Sequence, residues 1–283
     1  MHSATPNPIT QAYQRDGFFF PVDTMSREQA GAYRKELEEV ESRASAEPGR
    51  YNTAIWFTNA NFVLPFVDEI SRLPTILEPV KSVLGPNILV WNASFFIKEP
   101  HTPDFVSWHQ DLKYWGLTDS GEVTAWVALS DADVRSGCMR FVAGSHETGL
   151  LDHRDTFADE NLLSRGQELA VEVDESKAVD VVLEPGQMSL HHGHTFHASH
   201  PNQSDDRRIG LAIRYITTEM AQRDGIRPYA HLVAGEDHCG NFQLLSGPIE
   251  TMARHNVELA VENIKMVENF FYEEAAMPGK ALR

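Results

Sequence analysis

The stretch SWHQDLKYWGL, Ser107 to Leu117, sets His109 and Asp111 one residue apart among bulky aromatics. On a strand, residues i and i+2 share a face, so the two side chains point the same way with Gln110 opposite. A neutral imidazole and a carboxylate so placed suit adjacent positions on one borderline divalent metal. One further histidine completes the two-histidine, one-carboxylate triad of non-haem Fe(II) oxygenases. The spacing alone is weak evidence, because a chain with 13 histidines holds about one His-x-Asp by chance. A second copy, His153 to Asp155, lies in the charged stretch LDHRDTFADENLLSRG. That stretch lacks strand alternation and reads as a surface loop.

A second concentration of donors follows in HHGHTFHASHPNQSDDRRIGLAIRY, His191 to Tyr215, with five histidines in its first ten residues. Zinc sites prefer spaced Cys and His sets closed as a tetrahedron, and no thiol is offered here. Adjacent histidines on a strand face opposite ways, so at most one or two of the five can reach one ion.

The elements around these segments are legible. Ser26 to Ala44 reads as a helix capped by Ser26, with Ala30, Tyr33, Leu37 and Val40 at helical spacing. A second helical stretch runs from about Ala60 to Leu84 and is interrupted near Pro74. Then the runs NILVWNASFFIKEP, EVTAWVALSD, CMRFVAGS, AVDVVLEPGQMSLHHG and RIGLAIRYIT have the β-branched and aromatic character of antiparallel strands. Helical character returns from Pro248. The expectation is a mainly β fold in one domain spanning residues 1–283: a helical N-terminal part over about 1–86, a core of about eight strands over about 87–247, and a C-terminal helix over about 248–275. The core is best closed as a double-stranded β-helix, the cupin-like jelly roll. Its open end can gather strand-end residues around a ligand.

The net charge of −17 argues against nucleic acid or anionic membrane as a partner, since both need clustered Lys and Arg. Cys138 and Cys239 alone make no disulfide framework and fit a reducing compartment. No apolar run approaches the ~18 residues of a membrane span, and the N-terminus lacks a signal peptide's basic start and apolar core. A cytoplasmic location is expected. The oligomeric state stays open.

Taken together, WHQDLKYWG, TAWVALSD followed by SGCMRFVAGSH, PGQMSLHHG and HASHPNQSDDRR are similar, in kind and order, to motifs of the phytanoyl-CoA dioxygenase family of Fe(II)- and 2-oxoglutarate-dependent oxygenases. The likeness runs from about Asn87 to Thr217. It implies His109, Asp111 and His197 as metal ligands, His197 opening the His-small-Ser segment. It implies Arg208, eleven residues after His197, as the anchor of the far 2-oxoglutarate carboxylate. A planar, permanently charged guanidinium suits a two-point grip on a carboxylate. Arg214 lies an even number of residues further on, shares Arg208's face, and is the alternative anchor. By the same resemblance Trp126, Lys98 and Thr124 belong to the cosubstrate pocket, and Ser199 supports the metal histidine by a hydrogen bond. Without the resemblance, Trp126 reads as a core aromatic and Lys98 as surface. Asn92, Trp108, Tyr114 and His194 are substrate-pocket candidates, with Tyr51, Trp56, Phe57, Trp91 and Trp115 as further aromatics.

The implied reaction consumes 2-oxoglutarate and O2, releases succinate and CO2, and hydroxylates an unactivated C–H bond of a small metabolite such as an amino acid, a phosphonate or a natural-product intermediate. Asp111 favours hydroxylation, because halogenases of similar pattern carry a small residue there. No extended basic patch advertises a bulky coenzyme A ester. Two other readings compete: a cupin-type metalloenzyme that does not use 2-oxoglutarate and has no need of Arg208, and a non-catalytic metal-binding sensor, which has no reason to keep the full set.

Overall fold

A computed structural model describes residues 7–47 and 52–271. In chain order the elements are α1 (Pro8–Asp16), β1 (Phe18–Asp23), α2 (Arg27–Ala46), α3 (Thr53–Thr58), α4 (Ala60–Val63), α5 (Pro65–Ser71), α6 (Pro74–Leu84), β2 (Ile88–Lys98), β3 (Val106–His109), β4 (Glu122–Ala128), β5 (Met139–Val142), β6 (His153–Asp155), β7 (Gln167–Leu169), β8 (Ala178–Val181), β9 (Gln187–His191), β10 (His197–Ser199), β11 (Arg208–Thr217), β12 (Tyr229–Ala234), β13 (Gln243–Leu245) and α7 (Arg254–Phe271). Tyr51 and the last four residues of the expected C-terminal helix lie outside the described residues.

The strands form a large sheet in the order β1-β9-β4-β11-β2-β12-β13, a facing sheet in the order β3-β10-β5-β8, and the ribbon β6-β7. This is the jelly roll expected from the alternating runs. β11 shows how the sequence builds it. Ile209, Leu211, Ile213 and Tyr215 join Leu37, Phe62 and Ile70 in one apolar core beneath the N-terminal helices. Each such side chain contributes about 1.5–3 kcal/mol on burial. The alternate residues Arg208, Gly210, Ala212 and Arg214 face the other way, toward the smaller sheet. There Ala212 and Trp126 meet Met139, Phe141 and Val181 in a second core. Two arginines thus point into the space between the sheets because their neighbours at i±1 are needed under the helices.

α2 begins as expected: the Ser26 hydroxyl accepts the Gln29 amide at 3.1 Å while the Gln29 side chain accepts the Ser26 amide at 3.0 Å, a capping box. The Ala60–Leu84 stretch breaks twice, before Pro65 and before Pro74, since the residue preceding a proline is driven out of helical backbone.

Two expectations need correction, and a bulge in β2 adds to them. The N-terminal part is not purely helical, because FFFPVD forms β1, which pairs with β9 through Phe18↔His191 and Phe19↔Leu190. Pro21 lacks a ladder donor and is tolerated because β1 is an edge strand. The His153–Asp155 stretch is a short strand rather than a loop, paired with β7. Finally, β2 carries a bulge: Arg214 pairs with Asn92 but Tyr215 with Val90. The extra residue lets Trp91 and Asn92, neighbours in sequence, line the same cavity.

Candidate active site

β3 ends at His109, and Asp111 opens a short 3-10 turn. Gln110 between them keeps extended backbone, φ −123° and ψ 131°, so strand alternation persists one residue past the ladder and brings His109 and Asp111 together. β10 runs antiparallel to β3 with His197 opposite His109, their ring centroids 3.9 Å apart. Asp111 Oδ1 lies 3.4 Å from His109 Nε2 and 3.8 Å from His197 Nε2. One donor atom from each residue falls within 4.8 Å of the others.

The tautomers follow from the outer hydrogen bonds. His109 Nδ1 is 2.9 Å from the Ser107 carbonyl and His197 Nδ1 is 2.9 Å from the Thr195 carbonyl. A carbonyl only accepts, so Nδ1 carries a proton in each ring and Nε2 is the nitrogen turned toward Asp111. Burial drives His197 well below the usual histidine range, with neighbouring His109 adding to it. Burial alone would raise the Asp111 carboxyl, but the imidazoles of His109 and His191 hold it well below the usual carboxylate range. Two imidazole nitrogens and a carboxylate are a donor set that fits Fe(II).

Gln110, fully buried, anchors this loop. Its side-chain amide donates to the carbonyls of Gly149 at 2.7 Å and His194 at 2.8 Å, and its Oε1 accepts the Leu151 amide at 2.8 Å. Its own backbone amide donates to His153 Nε2 at 3.0 Å. Gln110→Leu strands three backbone groups, each worth about 1–3 kcal/mol when buried unpaired. It should lower the melting temperature and weaken metal binding about 10- to 100-fold, as loss of a ligand-orienting contact does. Metal titration and thermal melting of the same sample check both effects.

Along β11 from the triad lies Arg208, 1% exposed. Among the described residues its Nε and Nη2 have no hydrogen-bond partner, and its guanidinium sits 5.3 Å from the centre of the Trp126 ring. Burial pulls it down to about 10. A narrow cleft lined by Thr124, Trp126, Ser199 and Arg208 connects this guanidinium to His109, Asp111 and His197. Gly210 makes room for the indole, since a Cβ there would lie 1.8 Å from Trp126 Cζ2. Gly210→Ala should therefore displace Trp126 and destabilise the protein by about 1–3 kcal/mol, as overpacking does, with weaker 2-oxoglutarate binding. Calorimetric melting with and without 2-oxoglutarate reads both.

Arg214 lines the same cleft and also a second, wider cavity of about 500 Å3 that opens on His109 and Asp111. Asn92 and Tyr114 line this cavity, as do Trp91 and Trp115. Its outer wall includes Val267 and Phe271 of α7.

Other candidates fall elsewhere. Trp108 faces away from the site, as the neighbour of an inward His109 must, and donates to Glu175 at 3.3 Å beneath Arg140. The His194 ring packs on His192 with centroids 4.9 Å apart, and only its backbone carbonyl serves the site, through Gln110. Trp56 and Phe57 line a shallow groove apart from the cavity. Ser199 does not hold His197, a task that belongs to the Thr195 carbonyl; it accepts from Lys98 Nζ at 2.7 Å. Lys98 is fully buried and donates also to the His200 carbonyl, so it braces the cleft from behind; burial, with Arg208 adjacent, lowers it to about 6. The Thr124 hydroxyl donates to Glu122 at 2.7 Å, a buried carboxyl pushed up to about 8 by desolvation.

Sequence reasoning missed His191 as an individual. It is 1% exposed, has no hydrogen-bond partner on either ring nitrogen among the described residues, and lies 3.8 Å from the other Asp111 oxygen. Its only signal was membership of the histidine-rich segment.

A fold of two facing sheets with three metal donors between strand ends is the architecture of the non-haem iron oxygenases. The family profile described as Phytanoyl-CoA dioxygenase (PhyH) matches residues 13–210, and the chain belongs to that family. A Stutzerimonas stutzeri protein named probable alpha-ketoglutarate-dependent hypophosphite dioxygenase is 29% identical over 57% of this chain and 56% of its own length. Human peroxisomal phytanoyl-CoA dioxygenase is 27% identical over 52% of this chain and 45% of its own length. The chain thus spans about half the length of the curated relatives it matches. Among solved structures, the apo form of the non-heme monooxygenase ThoJ superposes with a TM-score of 0.84 at 33% identity, covering 94% of this chain and 98% of ThoJ. CytC3 with Fe(II) and alpha-ketoglutarate shares the fold at a TM-score of 0.63 and 20% identity, covering 86% of this chain and 93% of CytC3.

Proposed function

We propose that this protein is an Fe(II)- and 2-oxoglutarate-dependent dioxygenase that hydroxylates an unactivated C–H bond of a small, free metabolite. The observation that carries the reading is one buried cleft joining three convergent metal donors to Arg208, a guanidinium without an acid. A buried cation left unpaired is costly, and a bound carboxylate relieves that cost. A metalloenzyme that does not use 2-oxoglutarate has no use for it.

The residues divide the work. His109, Asp111 and His197 would hold the iron on one face, with Nδ1 protons fixed on Ser107 and Thr195 carbonyls so that each Nε2 faces the ion. Arg208, pressed on Trp126, would take the far carboxylate of 2-oxoglutarate by paired charge-assisted hydrogen bonds. Iron and 2-oxoglutarate together supply the activation of O2 and the oxidising power, leaving succinate and CO2. No side chain has to move a proton in the C–H step. The aromatic walls of the outer cavity exclude water and hold the substrate against the metal face, and its volume of about 500 Å3 falls in the small-molecule range.

The test is succinate formation from 2-oxoglutarate with Fe(II) and isotopically heavy O2, in the presence of fractionated small metabolites. The reading expects one fraction to stimulate succinate release and to yield a product that gains one heavy oxygen atom. No 2-oxoglutarate consumption in any fraction contradicts it, and turnover of an acyl-CoA but no free metabolite contradicts the choice of substrate class.

A further inference from the structure

Arg208 and Arg214 face the same way from β11, yet only Arg214 reaches the outer cavity. Its side chain is 7% exposed. Nη1 donates to two neutral oxygens, Asn92 Oδ1 at 2.9 Å and Ser94 Oγ at 2.7 Å, while Nε has no partner among the described residues. Trp115 packs with its ring centre 5.2 Å from the guanidinium carbon. Neutral hydrogen bonds fix the orientation of a cation without neutralising it. Asp111 and Glu122 act on it through space, but Asp111 is a metal donor and burial pushes the Glu122 carboxyl up to about 8.

The charges of the loaded site point the same way, on the reading proposed above. Arg208, Arg214 and a divalent ion stand against Asp111 and the two carboxylates of 2-oxoglutarate, which leaves one positive charge over. Lys98, lowered to about 6, and Glu122, raised to about 8, are both neutral between those values and leave the count unchanged there. A low-dielectric cavity with a surplus cation at its inner end favours a monoanion there.

We infer that Arg214 seats a carboxylate of the substrate, so that the substrate class is a carboxylic acid with an apolar body. The carboxylate would lie at the inner end of the cavity, and the body would extend along the wall formed by Trp91, Trp115 and Phe271. Carbons close to the carboxylate would then be the ones held nearest the metal face. A guanidinium held by two side chains and an aromatic face is built for a planar, two-oxygen anion.

The test uses the full chain, loaded anaerobically with Fe(II) and 2-oxoglutarate, and three probes: 3-phenylpropanoate, indole-3-acetate and hexanoate, each against its primary amide. Binding is read by titration calorimetry, and the visible absorption of the iron-chelated 2-oxo acid is recorded in the same samples. At least one acid should bind about tenfold or more tightly than its amide, ~1.4 kcal/mol. Arg214→Gln should erase that preference while keeping the 2-oxoglutarate absorption, and Arg214→Lys should keep part of it. Acids that bind no better than amides, including by not binding at all, overturn the inference, as does an unchanged preference in a folded Arg214→Gln. If Arg214→Gln loses the absorption, Arg214 is the cosubstrate anchor, and the inference fails while the dioxygenase reading stands. If wild type itself shows no absorption, the dioxygenase reading fails; the acid and amide comparison in wild type and Arg214→Lys then still decides the role of Arg214.

Discussion

Asp111→Ala should leave a folded protein that forms succinate at least about 1,000-fold more slowly, a rise of ~4 kcal/mol in the barrier. The carboxylate is the single anionic donor in the triad, and the two imidazole Nε2 atoms approach the same oxygen of it, at 3.4 and 3.8 Å. Without it, two neutral nitrogens would hold a divalent ion, and His191 would lose the carboxylate oxygen it faces. Metal content after gel filtration and succinate release check this together. Iron retained at wild-type stoichiometry with unchanged turnover would mean that the metal sits elsewhere.

Arg208→Ala should weaken 2-oxoglutarate binding roughly 30- to 1,000-fold, the 2–4 kcal/mol expected when one partner of a buried, hydrogen-bonded charge pair is removed. The sign of the stability change is equally diagnostic. In the ligand-free protein Arg208 is a buried charge without an acid, so removing it should leave the melting temperature unchanged or raise it. The rise on adding 2-oxoglutarate, present in wild type by mass action, should vanish. A structural arginine would behave in the opposite way, with lower stability and undiminished 2-oxoglutarate binding.

The parts of this site legible in the sequence are those that depend on strand alternation. His109 with Asp111, and Arg208 with Arg214, follow from period two, and the structure adds that Gln110 stays extended beyond the end of β3. Trp108 was misplaced although the same period points it away from His109; its aromatic character suggested a pocket where alternation argued for the opposite face. What was not legible depends on a local bend or on pairs distant in sequence. That Thr195, not Ser199, orients His197 is decided by the bend before β10, and that Ser199 meets Lys98 is decided by packing between the two sheets. β1 was hidden because FFFPVD shows neither alternation nor a free ladder donor at Pro21. The bulge at Trp91 and the closing of the cavity by α7 likewise carry no local signal, since each is settled by a partner strand or by the end of the chain returning over the site.

The proposed function requires that one buried cleft bind iron and 2-oxoglutarate together. The most direct measurement is anaerobic addition of Fe(II) and then 2-oxoglutarate to metal-free protein, followed by visible absorption. The account predicts a weak charge-transfer band that requires both additions and is lost or weakened in Arg208→Ala. Metal binding by the triad with no band on adding 2-oxoglutarate would contradict it.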